Sequence, residues 1–117
     1  MNAFFYLSTC STCARIMKEI KIDKADIKLR EIKSEPITEK EIDEMIRLAG
    51  SAEALFSRVA LKYRAWGLNE KKLTEKDYRS YILEEYTFLK RPVLVLGKNI
   101  YVGNSKANVE AMKKALE

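Results

Sequence analysis

The sequence contains no histidine and only two cysteines among its 117 residues, so it offers few of the side chains that usually bind transition metals. A structural zinc site needs four ligands, and zinc here would therefore require carboxylates or a second subunit. The four glycines are scattered at predicted turns and helix ends, which excludes a glycine-rich loop of the kind that cradles phosphate. No pair of catalytic carboxylates stands out either, and we expect no bound metal or cofactor.

Long hydrophobic runs are also absent, and the apolar stretch near the N-terminus is too short for a membrane-spanning helix. That stretch has no basic residues before it, unlike a secretory signal peptide. We therefore expect a cytoplasmic protein without membrane association. Thiols are mostly kept reduced in the cytoplasm, where a pair of cysteines more often has a chemical role than a structural one.

The balance of charge is basic, because 22 lysines and arginines against 17 acidic residues give a net charge of +5. Such a balance permits an anionic substrate, an acidic protein or a nucleic acid as a partner. Basic and acidic residues are interspersed rather than grouped, which argues against nucleic-acid binding. The aromatic residues over 63–88 fall mostly at helical spacing. We interpret them as core packing and expect no direct contact with nucleic acid.

The two cysteines stand together in Cys10-Ser11-Thr12-Cys13, between an apolar run over 3–7 and a helix-like segment. A Cys-x-x-Cys pair at a strand-to-helix junction is typical of a thioredoxin-like redox site. The N-terminus of a helix carries unpaired N–H groups and a partial positive charge, which stabilise a thiolate. We therefore predict that Cys10 is the nucleophile and that Cys13 resolves the intermediate by closing a disulfide. Two alternatives stay open, namely inert core cysteines and a zinc site.

Hydrophobic periodicity and turn residues predict the order of secondary structure. Strands are predicted over 3–7, 27–32, 92–96 and 100–102, and helices over 11–21, 39–49, 52–66, 74–86 and 106–116. The strand over 27–32 alternates apolar and polar residues, as expected for a half-buried strand. The order β-α-β, helices, β-β-α indicates an α/β protein with a thioredoxin-like (glutaredoxin-like) fold. We expect one domain over 1–117, with a mixed four-stranded sheet and an all-helical insertion at approximately 38–86 between the second and third strands.

Several segments resemble the arsenate reductase-like family in order and spacing, namely Tyr6–Cys13, Lys33–Thr38, Gly67-Leu68 and Lys90–Val93. That family includes glutaredoxin-linked arsenate reductases and Spx-type redox-sensing transcription regulators. The resemblance covers essentially the whole chain. The Cys-x-x-Cys motif is weakly specific by itself, and the Arg-Pro pair at 91–92 makes the combination more specific.

The resemblance implies roles for individual residues. Cys10 matches the nucleophilic cysteine that attacks arsenate in the reductases. Arg91 matches an arginine that packs beside that cysteine and contacts the oxyanion, and Arg58 lies near the place of a further anion-contacting arginine. Pro92 matches the cis-proline of thioredoxin-like folds. The residue types suit the chemistry, because a planar guanidinium binds an oxyanion through two hydrogen bonds and lowers the pKa of a nearby thiol.

The sequence also departs from the reductases of this family. Glutaredoxin-linked reductases usually have one cysteine here and use external glutathione to resolve the adduct, whereas Cys13 resembles the second cysteine of the Spx-type regulators. The reductases carry another arginine shortly after the hairpin, about where this sequence has Gly103. An arginine often follows the second cysteine position, and here Ala14 takes that place with Arg15 one residue later. These differences concern arsenate as the substrate and leave the thiol chemistry unaffected.

The first functional hypothesis is a thiol-disulfide oxidoreductase, resembling glutaredoxin-dependent arsenate reductase, that acts on arsenate or on a protein disulfide. Its electron donor would be glutathione with glutaredoxin, or thioredoxin. The alternative is an Spx-like transcription regulator that binds RNA polymerase and is switched by a Cys10–Cys13 disulfide. A third hypothesis is a structural or interaction domain with inert cysteines, whose thiol pKa stays near the unperturbed value of about 8.5.

Overall fold

A computed structural model describes residues 1–117, and the chain forms two compact units. The first, called the sheet unit, consists of Met1–Glu35 and Arg91–Glu117. The second, called the helical unit, consists of Pro36–Lys90. The insertion predicted at approximately 38–86 falls within the helical unit.

Four strands form a single sheet in the sheet unit. They are β1 (Asn2–Tyr6), β2 (Lys28–Glu31), β3 (Val93–Leu96) and β4 (Asn99–Val102). Their order across the sheet is β2-β1-β3-β4, with β2 parallel to β1, β3 antiparallel to β1 and β4 antiparallel to β3. The sheet is therefore mixed, and the helical unit follows β2 and precedes β3 along the chain. This α/β architecture is the one that the sequence predicts.

Five α-helices occur, namely α1 (Ser11–Glu19), α2 (Glu39–Ala49), α3 (Leu61–Ala65), α4 (Glu75–Glu84) and α5 (Lys106–Ala115). In the sheet unit, α1 and α5 pack apolar side chains against one face of the sheet. This core includes Phe4, Ile16, Leu94, Val109 and Met112. The packing holds the first turn of α1 just beyond the end of β1. None of the helices combines the length and the apolar character needed to cross a bilayer.

Capping boxes begin the two longer helices of the helical unit. The Thr38 hydroxyl accepts a hydrogen bond from the Glu41 N–H at 3.1 Å, and the Thr38 N–H donates to Glu41 Oε1 at 3.0 Å. Thr74 and Asp77 form the same arrangement before α4. At its other end, α2 stops at Gly50, whose φ of +93° lies in the left-handed region that glycine favours. The sequence predicts both ends of α2 from these local signals, and both predictions are confirmed.

Aromatic rings fill the core of the helical unit. The Phe56 ring centroid lies 4.9 Å from that of Tyr78, 5.0 Å from that of Phe88 and 5.9 Å from that of Tyr63. The Trp66 ring packs edge-on against Phe88 at 5.4 Å. Both phenylalanines are fully buried. These contacts agree with the interpretation of the aromatic residues as core packing.

The prediction of a continuous helix over 52–66 is wrong. The chain makes a 3-10 turn over Glu53–Leu55, becomes extended at Phe56 and forms α3 only over Leu61–Ala65. Phe56 makes an isolated antiparallel β-bridge with Leu89. Pairing with this distant segment replaces the local hydrogen bonds that a helix would make, a tertiary effect that helical periodicity does not contain.

The exposure predicted for β2 is reversed at Leu29 and Arg30, whereas Lys28 is exposed as predicted. Leu29 is 42% exposed although it pairs with Phe4 on the face that carries the helices, whereas Arg30 is only 4% exposed. The Arg30 guanidinium lies 5.6 Å from the centroid of the Phe5 ring, and it donates a hydrogen bond to the Glu35 carbonyl at 3.0 Å. A buried arginine is tolerated when its charge and its donors have such partners. On this edge strand, polar partners decide burial more than apolar character does.

Candidate functional site

Cys10 occupies the N-cap of α1, with extended backbone angles. Its N–H donates to the Leu7 carbonyl at 3.1 Å, which closes a tight turn after β1, and its carbonyl accepts from the Ala14 N–H at 3.1 Å. The Cys13 N–H points at the Cys10 sulfur, with a nitrogen-to-sulfur distance of 3.4 Å. The sulfur therefore takes the place that a serine or aspartate oxygen usually takes at a helix N-terminus.

The two thiols differ in their access to solvent. Both are free cysteines, and Cys10 is partly exposed whereas Cys13 is fully buried. Residues three apart on a helix lie on the same side of it, so the buried thiol is a neighbour of the exposed one. A molecule in solution can therefore reach the Cys10 thiol, whereas the Cys13 thiol is covered by the protein.

The surroundings of Cys10 favour its thiolate. Burial acts to raise the pKa of Cys10, but hydrogen bonds from Cys13 and from the Thr12 backbone, together with the positive charge of Arg91, act to lower it. The balance leaves the pKa of the Cys10 thiol below its ordinary value. A lowered pKa at a helix N-terminus is the usual property of a nucleophilic cysteine.

The surroundings of Cys13 favour its protonated form. Burial raises the pKa of the Cys13 thiol to about 11, opposed by a backbone hydrogen bond at Leu7. The hydrogen bond to the Cys10 sulfur and the negative charge of Cys10 raise the Cys13 pKa further, while the charge of Arg91 acts against them. In the reduced protein, the thiol at the N-cap of α1 therefore ionises more readily than the thiol in the first turn.

Arg91 and Pro92 stand immediately before β3, and the peptide bond between them is cis. After burial and hydrogen bonding, the charge of Arg91 is a further cause that acts on the pKa of both Cys10 and Cys13. Arg91 Nη1 is buried and has no hydrogen-bond acceptor in the protein. Leaving a buried donor unsatisfied costs about 1–3 kcal/mol. A native protein that keeps such a donor often uses it to bind a ligand, which supplies the acceptor.

Arg58, the second arginine predicted to contact an oxyanion, lies in the helical unit. Its Nη2 donates to Glu53 Oε2 at 2.6 Å and to the Tyr78 hydroxyl at 2.9 Å. The guanidinium also lies 5.6 Å from the centroid of the Tyr78 ring. An oxyanion would have to compete with the Glu53 carboxylate for this side chain, so the role of Arg58 stays a prediction.

A carboxylate that the sequence patterns did not single out also contacts the thiol loop. Glu31, the last residue of β2, accepts a hydrogen bond from the Ser8 N–H at 2.8 Å. Ser8 belongs to the turn that ends at Cys10. The only local signal for a role of Glu31 was Ser34, three positions later, because serine often forms hydrogen bonds with groups a few residues away in the chain. That signal is too common to identify a site by itself.

No group of three or more histidine, cysteine, aspartate or glutamate side chains is arranged to hold a metal ion. The chemistry that the sheet unit offers is that of a thiolate beside a thiol, with an arginine donor available to an anion.

Residues 5–112 match the ArsC family. The chain belongs to the ArsC family. The match includes both cysteines, the Arg-Pro pair and the whole helical unit. The arsenate reductase-like family predicted from the sequence is therefore confirmed.

Solved structures of other ArsC-like proteins have the same fold. An arsenate reductase from Vibrio cholerae is 12% identical, with a TM-score of 0.79 over 95% of this chain and 96% of that chain. A possible arsenate reductase from Streptococcus mutans is 26% identical, with a TM-score of 0.73 over 91% of this chain and 92% of that chain. An arsenate reductase (ArsC) related protein from Brucella melitensis is 20% identical, with a TM-score of 0.72 over 94% of this chain and 92% of that chain. The thioredoxin-like fold is thereby confirmed. No curated protein matches the sequence at a significant level.

Proposed function

We propose that this ArsC-family chain is a thiol-disulfide oxidoreductase in which Cys10 attacks arsenate or another oxidised substrate and Cys13 resolves the intermediate. The observation that supports it is the opposite shift of two neighbouring thiols, since the pKa of Cys10 is lowered and that of Cys13 is raised to about 11. A nucleophile must be ionised before it attacks, whereas a resolving thiol is best kept protonated until its turn.

In the first step the Cys10 thiolate attacks arsenic(V). A sulfur–arsenic bond forms and an arsenic–oxygen bond breaks, with the oxygen leaving as water after it takes up protons from solvent, while the Cys13 thiol keeps its proton until the second step. Formation of the adduct removes the negative charge of Cys10, which is one of the causes that follow burial in raising the pKa of Cys13. The second thiol therefore becomes easier to ionise once the first has reacted.

In the second step the Cys13 sulfur attacks the Cys10 sulfur. A disulfide forms, the sulfur–arsenic bond breaks, and its electron pair stays on arsenic, which leaves as arsenite. Two electrons have then passed from two thiols to one arsenic atom. With a protein disulfide as the substrate, Cys10 forms a mixed disulfide and Cys13 resolves it in the same way.

Arg91 binds the oxyanion in this proposal, because its buried Nη1 has no acceptor within the protein. Pro92 has a structural role beside it, since its carbonyl accepts the Gly103 N–H at 2.8 Å and so ties the start of β3 to the residue after β4. Arg58 is retained as a second candidate contact for the anion, in competition with its present partner Glu53. We propose glutathione with glutaredoxin, or thioredoxin, as the reductant that restores the two thiols.

The test is arsenate-dependent oxidation of NADPH, coupled once through glutathione, glutaredoxin and glutathione reductase and once through thioredoxin and its reductase. The wild type is compared with Cys10→Ser and Cys13→Ser. We expect turnover to disappear in Cys10→Ser. In Cys13→Ser the thioredoxin-coupled rate should fall, whereas glutathione could still resolve the Cys10 adduct.

Turnover that survives in Cys10→Ser would contradict the proposal, because no other residue is proposed as the nucleophile. Absence of turnover with both reductants in the wild type would remove arsenate as the substrate. The same two couples, supplied with a protein disulfide in place of arsenate, would then decide whether Cys10 acts as an oxidoreductase at all.

A second candidate function is an Spx-like redox switch that binds RNA polymerase. The observation that favours it is Gly103, which stands about where the reductases carry an arginine and has a φ of +93°. An arginine would be strained in this left-handed conformation, so this turn is not built for one. A regulator needs no complete oxyanion site, and a Cys10–Cys13 disulfide alone would change its surface.

Immobilised protein, in its dithiol and disulfide forms, should retain RNA polymerase unequally if the second candidate is correct. The Cys10→Ser and Cys13→Ser double variant serves as the control, because it cannot form the disulfide. Equal retention of the two forms, or none by either form, would contradict the switch.

A further inference from the structure

The Glu31 carboxylate connects the turn before Cys10 with the residues that follow β2 in the sheet unit. Its Oε2 accepts the Ser8 N–H at 2.8 Å, from the turn between β1 and α1. Its Oε1 accepts the N–H groups of Lys33 at 2.9 Å and Ser34 at 2.8 Å, and also the Ser34 hydroxyl at 3.0 Å. Each carboxylate oxygen thus accepts hydrogen bonds from a different segment, and the Glu31 side chain links the two segments.

These donors keep the carboxylate ionised. The backbone hydrogen bonds from Ser8 and Ser34 outweigh the effect of burial and hold the pKa of Glu31 at about 2. Hydrogen bonds to an ionised acceptor are roughly twice as strong as those between neutral groups. At any pH at which a thiol reacts, Glu31 is therefore a full anion and a strong acceptor.

The Ser8 N–H is close to the nucleophile along the chain. Ser8 lies within the turn in which the Cys10 N–H donates to the Leu7 carbonyl at 3.1 Å. The strand register supports the same alignment, because Tyr6 is the pairing partner of Glu31 in the parallel ladder. The turn that presents Cys10 is therefore held by its own hydrogen bond and by the carboxylate of the neighbouring strand.

The hydrogen bonds of Glu31 and its negative charge have opposite effects on the ionisation of Cys10. A negative charge near a thiolate disfavours the thiolate, so Glu31 does not help Cys10 through its charge. A turn held in one conformation does help, because the Cys13 N–H must stay directed at the Cys10 sulfur, 3.4 Å away. The benefit of Glu31 is in its hydrogen bonds.

We propose that Glu31 is a positioning residue that keeps Cys10 at the N-terminus of α1 by anchoring the Ser8 N–H. The inference rests on the proposed function only in taking Cys10 as the reacting thiol. It makes Glu31 part of the thiol site although the side chain touches neither sulfur.

The test measures the pH dependence of Cys10 alkylation by iodoacetamide, which requires neither arsenate nor a reductant. In Glu31→Ala we expect the apparent pKa of Cys10 to rise, and the rate at pH 7 to fall roughly threefold to tenfold, because the rate follows the fraction of thiolate. Glu31→Gln keeps one acceptor oxygen and should lie between the wild type and the alanine variant.

Asp26→Ala is the matched control, since it removes the same charge two residues before β2 and contributes no hydrogen bond to the turn. A Glu31→Ala profile equal to that of Asp26→Ala, or a Cys10 pKa that falls in both Glu31 variants, would overturn the proposal, because the residue would then act through its charge or not at all. Thermal unfolding of each variant identifies any loss of the fold, and Glu31→Gln decides the question where Glu31→Ala is unfolded.

The two proposals can fail separately. A wild type with a lowered Cys10 pKa that depends on Glu31, yet no turnover with arsenate or a protein disulfide, would leave the positioning role intact and remove the proposed function. Turnover that depends on Cys10 but is the same in Glu31→Ala, with an unchanged Cys10 profile, would do the reverse.

Discussion

Arg91 of the sheet unit differs from several basic side chains of the helical unit in whether its hydrogen-bond donors have partners in the protein. In the helical unit, cations donate to carboxylates of the same unit, as in Arg58 to Glu53 at 2.6 Å, Lys62 to Glu85 at 2.6 Å and Arg79 to Asp43 at 2.7 Å. In the sheet unit, Arg91 has a buried Nη1 with no acceptor in the protein. A cation that is already paired has fewer donors for a ligand, so the capacity to bind an anion is greatest at Arg91.

This contrast shows how little the net charge of +5 says about partners. Exposed ion pairs contribute little to stability, commonly less than about 1 kcal/mol, yet they occupy donors that an anion would need. A single unsatisfied guanidinium donor, whose charge lowers the pKa of a thiol, is therefore more informative than the sum of all charges. The following experiments test this contrast, beginning with the largest expected effect.

The largest expected effect is the difference in alkylation rate between the two thiols of the sheet unit. At pH 8 a thiol with a pKa of about 11, as at Cys13, is ionised in about one molecule in a thousand, so Cys10 should be alkylated roughly a hundredfold faster. As the pH is lowered, the alkylation rate of Cys10 should start to decline at a lower pH than that of free cysteine. As the pH is raised, the alkylation rate of Cys13 should keep increasing up to about pH 11. Tandem mass spectrometry of the alkylated peptide assigns the site.

The same reaction in denaturant is the control, since burial and the helix N-terminus no longer act there and the two rates should converge. Equal rates in the folded protein would indicate that the thiols are inert core residues, and the sheet unit would then lose its chemical distinction.

The next largest effect is the difference between Arg91 and Arg58 in their contribution to kcat/KM for arsenate. We expect Arg91→Lys to lower kcat/KM for arsenate roughly a hundredfold, because a lysine cannot replace two charge-assisted hydrogen bonds from one planar group. Arg58→Lys should lower it less, about tenfold at most, because the Glu53 carboxylate already occupies part of the Arg58 guanidinium. Steady-state kinetics with arsenate measure both.

Arg79→Lys is the control from the helical unit, because Arg79 bonds to Asp43 and Glu39 and has no proposed role at the site. A loss in Arg58→Lys as large as that in Arg91→Lys would show that the helical unit supplies an equal contact to the oxyanion. The contrast between the two units would then be wrong.

Two glycines provide the smallest test. Gly103 of the sheet unit and Gly50 of the helical unit both have a φ of +93° and open space where a Cβ would lie. Alanine at either position should cost about 1–2 kcal/mol of unfolding free energy, because the left-handed conformation strains any residue with a Cβ. Denaturant unfolding measures both costs.

The kinetic consequences of these glycine variants should differ. Gly103→Ala should also change the Cys10 reaction, since the Gly103 N–H bonds to the Pro92 carbonyl next to Arg91. Gly50→Ala should affect stability alone. A stable Gly103→Ala protein would argue that this turn adapts readily, and Gly103→Arg would then become a direct test of whether a third arginine improves arsenate binding.

Much of the fold could be predicted from local patterns. The thiol pair at a strand-to-helix junction, the Thr38 capping box and the glycine at position 50 act over a few residues, and each was predicted correctly. The prediction over 52–66 was wrong because the β-bridge from Phe56 to Leu89 joins residues far apart in the chain. Helical periodicity contains no term for such a partner.

The candidate site could be predicted only in part for the same reason. Cys10 and Cys13 are neighbours in sequence, so their pairing on one helical turn follows from spacing. The unpartnered Nη1 of Arg91 and the bond from Ser8 to Glu31 depend on how strands are paired. A resemblance to a family pointed to Arg91, whereas the only local signal for Glu31, a serine three positions later, is too common to identify a site.

By itself, the sequence determined the order of strands and helices, the thiol pair and the helix N-terminus on which it stands. These features depend on hydrophobic periodicity, capping and spacing, which are properties of adjacent residues. Only the tertiary structure decided that Arg30 is buried, that Arg91 keeps a free donor and that Glu31 holds the turn before Cys10. Each depends on whether a polar group finds a partner from a distant segment, and that partner exists only after the strands have paired.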